Sequence, residues 1–314
     1  MKSNEVLITG PMYGPTITQL DETFTTYKLH QAKDRDALIA ELAPRLRAVA
    51  HGGHEAIGDA LLARLPKVEL IANFGVGYDS IDVRAASARG VKVTNTPDVL
   101  TDEVADLAIG LLLATARRMV AADRYVRAGR WAKEGNYPFT TRVHGKTLGI
   151  VGLGRIGMAI ARRAEGFGIT ILYHNRNART DVGYRFCPDL ATMAREADFL
   201  MVVTPGGAGT AKLIDARIME AVGPKGILIN ISRGSVVDEE ALIKALIDGR
   251  LGAAGLDVFA HEPHVPEALF PLDNVVLQPH QASATPETRG AMGQLVVDNL
   301  KALFDGRKLL TPVN

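Results

Sequence analysis

Two groups of residues could do chemistry together. The first is Gly152, Gly154 and Gly157 in GIVGLGRIGMAIARRAEGFG, the order G-x-G-x-x-G between an apolar run and a helical pattern. In that context Gly152 permits a tight turn and Gly154 lets the backbone approach a pyrophosphate. Gly157 lets helix and strand pack closely, and the helix N-terminus offers free N–H groups to phosphate. The second group is Arg233 in LINISRGSVVDEEAL, Glu262 in GLDVFAHEP and His280 in LQPHQAS, each just past an apolar run. Strand C-termini in an open parallel sheet face the ligand crevice, so a guanidinium, a carboxyl and an imidazole can converge over one dinucleotide.

The stretch ILYHNRNAR, 170–178, with Arg179 next, selects which dinucleotide. An acid that holds the ribose hydroxyls is expected about 20 residues past the loop, and here the window carries Asn175, Arg176 and Arg179 instead. A carboxylate would repel a 2′-phosphate, whereas Arg176 is its planar partner and Asn175 can bond either form of the ribose. The expected cofactor is NADP(H), with NADPH preferred over NADH.

The elements that position these residues follow the βα rhythm of parallel sheets. Candidate strands in the first third are 5–9, 46–50, 69–73 and 91–95, with helical stretches such as 35–43 between them. Pro97 then interrupts, Thr101 reads as an N-cap, and Asp102 and Glu103 favour the positive end of a helix. Val104, Leu107, Ala108, Leu111 and Leu112 recur at helical spacing on what reads as a crossover between domains. Six further strands are expected at 147–152, 169–173, 198–203, 226–232, 252–259 and 274–280. A last helix over 286–304, apolar at Met292, Leu295, Val296, Leu300 and Leu303, has no strand after it and is expected to return to the first domain.

The bulk numbers bound the alternatives. The 314 residues suffice for two domains, and 47% hydrophobic with 23% charged is a globular composition. A net charge of +1 argues against a nucleic-acid binder. Cys187 is the single cysteine, which precludes an intrachain disulfide and fits a cytoplasmic setting. The start, MKSNEVLITG, reads as a strand and not a signal peptide, and the most apolar helix carries Asp106 and is too short to span a bilayer. No membrane partner is expected.

The spaced motifs NFGVGYDSID, NTPDVLTDEVADLAIGL, GKTLGIVGLGRIG, NISRGSVVDEEAL, AAGLDVFAHEP and NVVLQPHQAS run nearly end to end. In this order they resemble the D-isomer-specific 2-hydroxyacid dehydrogenase family, most closely its NADPH-dependent glyoxylate/hydroxypyruvate reductase branch. The resemblance implies an α/β protein of two Rossmann-like or flavodoxin-like parallel-sheet domains with the active site in the cleft between them. The substrate-binding domain would be 1–98 completed by 283–314, and the NAD(P)-binding Rossmann domain 99–282.

Carried onto this chain, the resemblance makes Arg233 the group that binds the substrate carboxylate and polarises its 2-oxo group. His280 becomes the proton donor, and Glu262 orients its ring and favours the protonated form. Backbone N–H groups of Val76 and Gly77 would hold the carboxylate. Asp257 would contact the nicotinamide amide, and Thr204, Pro205 and Thr210 would line the adenosine side. Arg155, Ile156, Ile231, Ser232 and Ala282 complete the cofactor set. Ala282 departs from the Gly usual beside the nicotinamide, which implies a slightly altered pocket. The implied reaction is NADPH-dependent reduction of a small 2-oxo acid, glyoxylate or hydroxypyruvate, by a homodimer.

Several residues have plainer readings. His51 and His54 are too few for a metal site, and none is expected; His54 could instead touch substrate. Met12 and Tyr13 either shape the pocket or lie on a surface loop. Trp131 falls in the stretch resembling the family's dimerisation arm, with Tyr137 and Phe139 close by. Two other functions compete: a broader D-2-hydroxyacid dehydrogenase preferring bulkier or aromatic 2-oxo acids, and a dinucleotide-sensing, corepressor-like binding protein.

Overall fold

The computed structural model describes residues 4–53 and 55–314, and the chain divides into two compact units. One comprises Met1–Leu100 and Ser283–Asn314, the other Thr101–Ala282. Both are α/β units built on parallel sheets.

The first unit holds β1 (Glu5–Ile8), β2 (Thr25–Lys28), β3 (Ala48–His51), β4 (Leu70–Asn73) and β5 (Lys92–Thr94). Their order is β2-β1-β3-β4-β5, every neighbouring pair parallel, which is the flavodoxin-like winding. Side chains alternate across the sheet. Val6, Ile8, Ala48, Ala50, Leu70 and Ala72 pack one way, with Leu20 and with Val296, Val297 and Leu300. Leu7, Val49, Ile71 and Val93 pack the other way, with Ile39 and Leu42. Strand β2 was not among the expected strands: its sequence TTYK has no apolar run, and all four residues are only half-buried at the sheet edge.

The helix Pro286–Phe304 does return to this unit, packing on the helix Gly14–Thr23 and on β4. Thr285 caps it, its hydroxyl accepting from Thr288 N at 3.3 Å. The close approach depends on Gly293, where a Cβ would lie 2.1 Å from Thr16 Oγ1. The segment after the helix is tied back in turn. Asn299 Oδ1 accepts from Leu310 N (2.9 Å), Thr311 Oγ1 donates to the Asn95 carbonyl (2.6 Å), and Pro312 bridges Thr94.

The second unit holds β6 (Thr147–Val151), β7 (Thr170–His174), β8 (Arg185–Phe186), β9 (Phe199–Val202), β10 (Ile227–Asn230), β11 (Ala253–Leu256) and β12 (Val275–Leu277). The order is β12-β11-β10-β9-β6-β7-β8, a Rossmann winding with its reversal between β6 and β9. The sheet has seven strands where six were expected. The extra one, β8, is two residues long, too short for any periodicity to announce. The helix Thr101–Ala116 packs within this unit, on the helix Arg155–Glu165 and on β10 and β11. It takes in Thr101 itself, one residue ahead of the expected start.

Register sets the site. Leu277, Leu256, Asn230, Val202, Val151 and His174 form one row across six strands. Every candidate residue of this unit follows a strand whose end lies on that row.

Candidate active site

The turn after β6 is built as the glycine spacing predicts. Gly152 has φ +104°, a conformation that disfavours any side chain, and its N–H donates to the His174 carbonyl at 3.0 Å. A Cβ on Gly157 would lie 2.3 Å from Gly152 O, so the helix could not sit this close on the turn with any other residue there. At Gly154, by contrast, an added Cβ would meet nothing within 4 Å. Gly154 is the N-cap of the helix Arg155–Glu165 and no side chain caps it, which leaves the positive end of the helix dipole for a ligand to meet. An opening of about 480 Å³ adjoins it, lined by Gly154, Arg155, Met158, Arg162 and Arg179. Met158 and Arg162 were not among the expected residues. Their signal was present, since 155, 158 and 162 recur at helical spacing on one face. A helix N-terminus without a side-chain cap, a close-packed glycine turn and a basic opening fit a dinucleotide.

Asn175 and Arg179 brace this loop. Asn175 Oδ1 accepts from Leu153 N at 2.7 Å, and Arg179 Nη1 donates to the Leu153 carbonyl at 2.9 Å. The Arg179 guanidinium also holds Asp181, with Nε to Oδ1 at 2.9 Å, and this bond keeps the Asp181 carboxyl below its usual range. Its N–H is fixed by the Tyr173 hydroxyl at 2.8 Å. Arg176 differs: it is exposed and makes no hydrogen bond or ion pair with any described residue. Of the two guanidiniums in the stretch, Arg176 is the one left for a ligand.

On the other side of the sheet reversal, Thr204 follows β9 and backs the glycine turn, its N 2.9 Å from where a Cβ on Gly152 would be. Thr210 Oγ1 donates to the Pro205 carbonyl at 2.7 Å and closes that loop.

Arg233, Glu262 and His280 come from loops after β10, β11 and β12, three adjacent strands. Glu262 uses both carboxylate oxygens: Oε1 accepts from Phe259 N at 3.0 Å, and Oε2 lies 2.6 Å from His280 Nδ1. An ionised carboxylate only accepts, so Nδ1 carries the hydrogen of this bond. The His280 side chain is a third exposed and that of Glu262 mostly buried.

Two buried side chains hold these loops. Asn230, at the end of β10, accepts from Ser232 N (3.1 Å) and Ser232 Oγ (2.8 Å) and donates to the Arg233 carbonyl (3.0 Å). It fixes the turn Ile231–Ser232–Arg233, in which Ile231 and Ser232 are themselves buried. Asp257, fully buried after β11, accepts from Gln281 N at 2.8 Å and Ala282 N at 3.1 Å, while its main-chain carbonyl accepts from His280 N at 2.8 Å. Burial pushes the Asp257 carboxyl up, against the two N–H bonds and the charge of His280. Gly234 joins the loops: a Cβ there would fall 1.9 Å from the Phe259 carbonyl carbon. Sequence reasoning missed Asn230 altogether, because a polar residue closing an apolar run reads as a strand end.

In the first unit, Val76 and Gly77 lie half-buried in the turn after β4. His51 is fully buried, its ring between Thr9 Oγ1 (2.8 Å) and Ser80 Oγ (3.0 Å), as a structural histidine is. His54 lies outside the described residues. Met12 packs against the core and Tyr13 precedes the helix Gly14–Thr23. In the second unit Trp131 and Phe139 are exposed, while Tyr137 stacks edge-on against Tyr125 at 5.3 Å.

With this geometry in place, the chain can be set beside known proteins. Residues 109–282 match the family model described as D-isomer specific 2-hydroxyacid dehydrogenase, NAD binding domain. The chain is 48% identical over 313 residues, all of both proteins, to glyoxylate/hydroxypyruvate reductase A HPR2 of Arabidopsis thaliana. It is 46% identical, again over the full length of both, to the hydroxyphenylpyruvate reductase of Plectranthus scutellarioides. Among solved structures it superposes with a TM-score of 0.92 on an NADPH-dependent glyoxylate/hydroxypyruvate reductase from Sinorhizobium meliloti, crystallised with NADP and malonate. That match is 48% identical and covers 99% of this chain and 96% of the other.

Proposed function

The chain belongs to the D-isomer-specific 2-hydroxyacid dehydrogenase family, oxidoreductases acting on CH–OH groups, and from that premise we propose that it reduces small 2-oxo acids with NADPH. The substrates proposed are glyoxylate, giving glycolate, and hydroxypyruvate, giving D-glycerate. The observation that carries this reading is the Glu262–His280 pair, 2.6 Å apart, its members delivered by β11 and β12, the two strands that follow β10 and Arg233 in the sheet.

In this proposal Arg233 and the N–H groups of Val76 and Gly77 bind the substrate carboxylate. Arg233 also polarises the 2-oxo group, a task for which a planar guanidinium is suited. His280, with Nδ1–H fixed on Glu262, delivers a proton from Nε2 to the oxygen at C2. A bound nicotinamide dinucleotide supplies the hydride. The chain's own part is to hold it: the Gly152–Gly157 turn and the helix N-terminus take the pyrophosphate, with Arg155 and Ile156 in its first turn. Thr204, Pro205, Thr210, Ile231, Ser232, Asp257 and Ala282 surround the rest. Arg176 takes the 2′-phosphate, with Asn175 and Arg179 shaping the loop. Support for NADPH comes from that exposed, unpaired guanidinium and from the Sinorhizobium meliloti relative.

A second reading, preference for a bulkier aromatic 2-oxo acid, is favoured by the similarity to the hydroxyphenylpyruvate reductase. A kinetic panel decides: glyoxylate, hydroxypyruvate and an aromatic 2-oxo acid, each with NADPH and with NADH. The highest kcat/KM for glyoxylate or hydroxypyruvate with NADPH supports the first reading, and for the aromatic acid the second. No turnover with any pair supports a dinucleotide-sensing binder. We also propose a homodimer, on the exposed apolar Met119, Val126, Trp131 and Phe139, which light scattering tests. A cytoplasmic setting is proposed on the lone, buried, unpaired Cys187.

A further inference from the structure

The turn after β4 carries an arrangement that its sequence, NFGVG, does not announce. Asn73, buried at the end of β4, donates from Nδ2 to two carbonyls, those of Gly75 and Gly77, each at 3.0 Å. Asn95, just past β5, donates from Nδ2 to the carbonyl between them, that of Val76, at 2.9 Å. Thr96 N adds a second bond to the Gly75 carbonyl, also at 3.0 Å. Three successive carbonyls of one short turn are therefore tied to two side-chain amides.

A peptide unit is planar and trans, so its C=O and N–H point in opposite directions. Fixing the Gly75 carbonyl fixes the N–H of Val76, and fixing the Val76 carbonyl fixes the N–H of Gly77. Neither N–H donates to a main-chain or side-chain acceptor among the described residues. Adjacent N–H groups held this way form an anion-binding concavity. The amides give it rigidity: with the carbonyls already satisfied, the turn has no reason to rotate its peptides and fill its own donors. Asn95 is itself pinned, its N–H to the Thr311 carbonyl (3.3 Å) and its carbonyl from the Thr311 hydroxyl (2.6 Å).

We infer that Asn73 and Asn95 are positioning residues that set the Val76 and Gly77 N–H groups as a receptor for the substrate carboxylate. This rests on the 2-oxo acid reading above, and makes the grip on substrate depend on two side chains that need not touch it.

The test uses the full chain as Asn73→Asp and Asn95→Ala. Asp keeps the size of Asn but, ionised, cannot donate to a carbonyl. Half-buried Asn95→Ala serves if the first variant folds poorly. Losing a buried donor to a binding turn costs about 1–3 kcal/mol, so KM for glyoxylate should rise roughly 5- to 160-fold. kcat should stay within about threefold and KM for NADPH should not change, since only binding of the carboxylate is weakened. Calorimetric titration with oxamate, a carboxylate of the same shape, should show the same loss. Hydrogen exchange over residues 74–80 should quicken in both variants. Unchanged KM and oxamate affinity in both variants would overturn the inference, as would an equal fall in NADPH affinity. If the parent reduces 2-oxo acids and binds oxamate while the variants match it, only this inference fails. If the parent does neither, the functional reading fails with it.

Discussion

Asp257 holds His280 in a left-handed backbone conformation. His280 has φ +50°, and its N–H and the next two all donate to Asp257, at 2.8, 2.8 and 3.1 Å. A non-glycine residue in that region costs roughly 1–3 kcal/mol and persists only where its surroundings over-determine it. One buried aspartate supplies that over-determination here, and the outcome is an imidazole held against Glu262.

The aspartate makes stability depend on pH. Burial raises the folded-state value of Asp257 above the ordinary 3.8. A carboxyl shifted upward binds its proton more tightly in the folded chain. Its contribution to stability is full below about 3.8 and is lost as pH rises through the folded value. Asp257→Asn removes that titration. The melting temperature of the variant relative to the parent should therefore climb as pH increases from about 3.8 upward, a trend visible in scanning calorimetry across buffers. A difference that stays flat over that range would contradict the assignment.

In the proposed mechanism, replacing His280 removes the proton donor and leaves the dinucleotide loop intact. For His280→Ala, kcat should fall by roughly 100- to 10,000-fold, with the affinity for NADPH, measured by fluorescence titration, unchanged. Comparable losses in both would mean that the ring serves binding and not proton transfer.

Arg176→Ala should separate the two cofactors. Loss of a charge-assisted contact to a phosphate at an exposed site is worth about 1.5–3 kcal/mol, so KM for NADPH should rise at least tenfold while that for NADH stays put. Parallel changes would move the choice of cofactor elsewhere, to Arg155, Arg162 or Arg179 around the neighbouring opening.

Gly234→Ala places a methyl 1.9 Å from the Phe259 carbonyl carbon, so one of two loops must move. Overpacking of this kind costs about 1–3 kcal/mol or more, which in a unit of this size lowers the melting temperature by about 2–4 °C per kcal/mol. Because one loop carries Arg233 and the other leads to Glu262, kcat/KM for glyoxylate should fall too. An unchanged melting temperature would show that the loops have slack.

How far the sequence could be read depended on where the signal lay. Long apolar runs placed ten of the twelve strands found among the described residues. The misses, Thr25–Lys28 and Arg185–Phe186, are edge strands that bury too little to leave a pattern. The strand-end trio was legible because type and position coincide. Asn73, Asn95, Asn230 and the clasp of Asp257 were not, because their work is to hold backbone atoms whose directions only the folded chain defines. Arg179 is instructive: its partner Asp181 stands two residues on, yet nothing in the order of residues says that the two would pair and that Arg176 would not.

The chain leaves the first unit after Leu100 and re-enters it at Ser283. Until Val296, Val297 and Leu300 emerge from the ribosome, the sheet face made by Val6, Ile8, Ala48, Leu70 and Ala72 has no cover from that helix. The stretch from Thr101 to Ala282 is contiguous and has all its strands beforehand. Translation order and folding order are thereby reversed: the part made first is finished last, and its greasy face must wait out the synthesis of everything between.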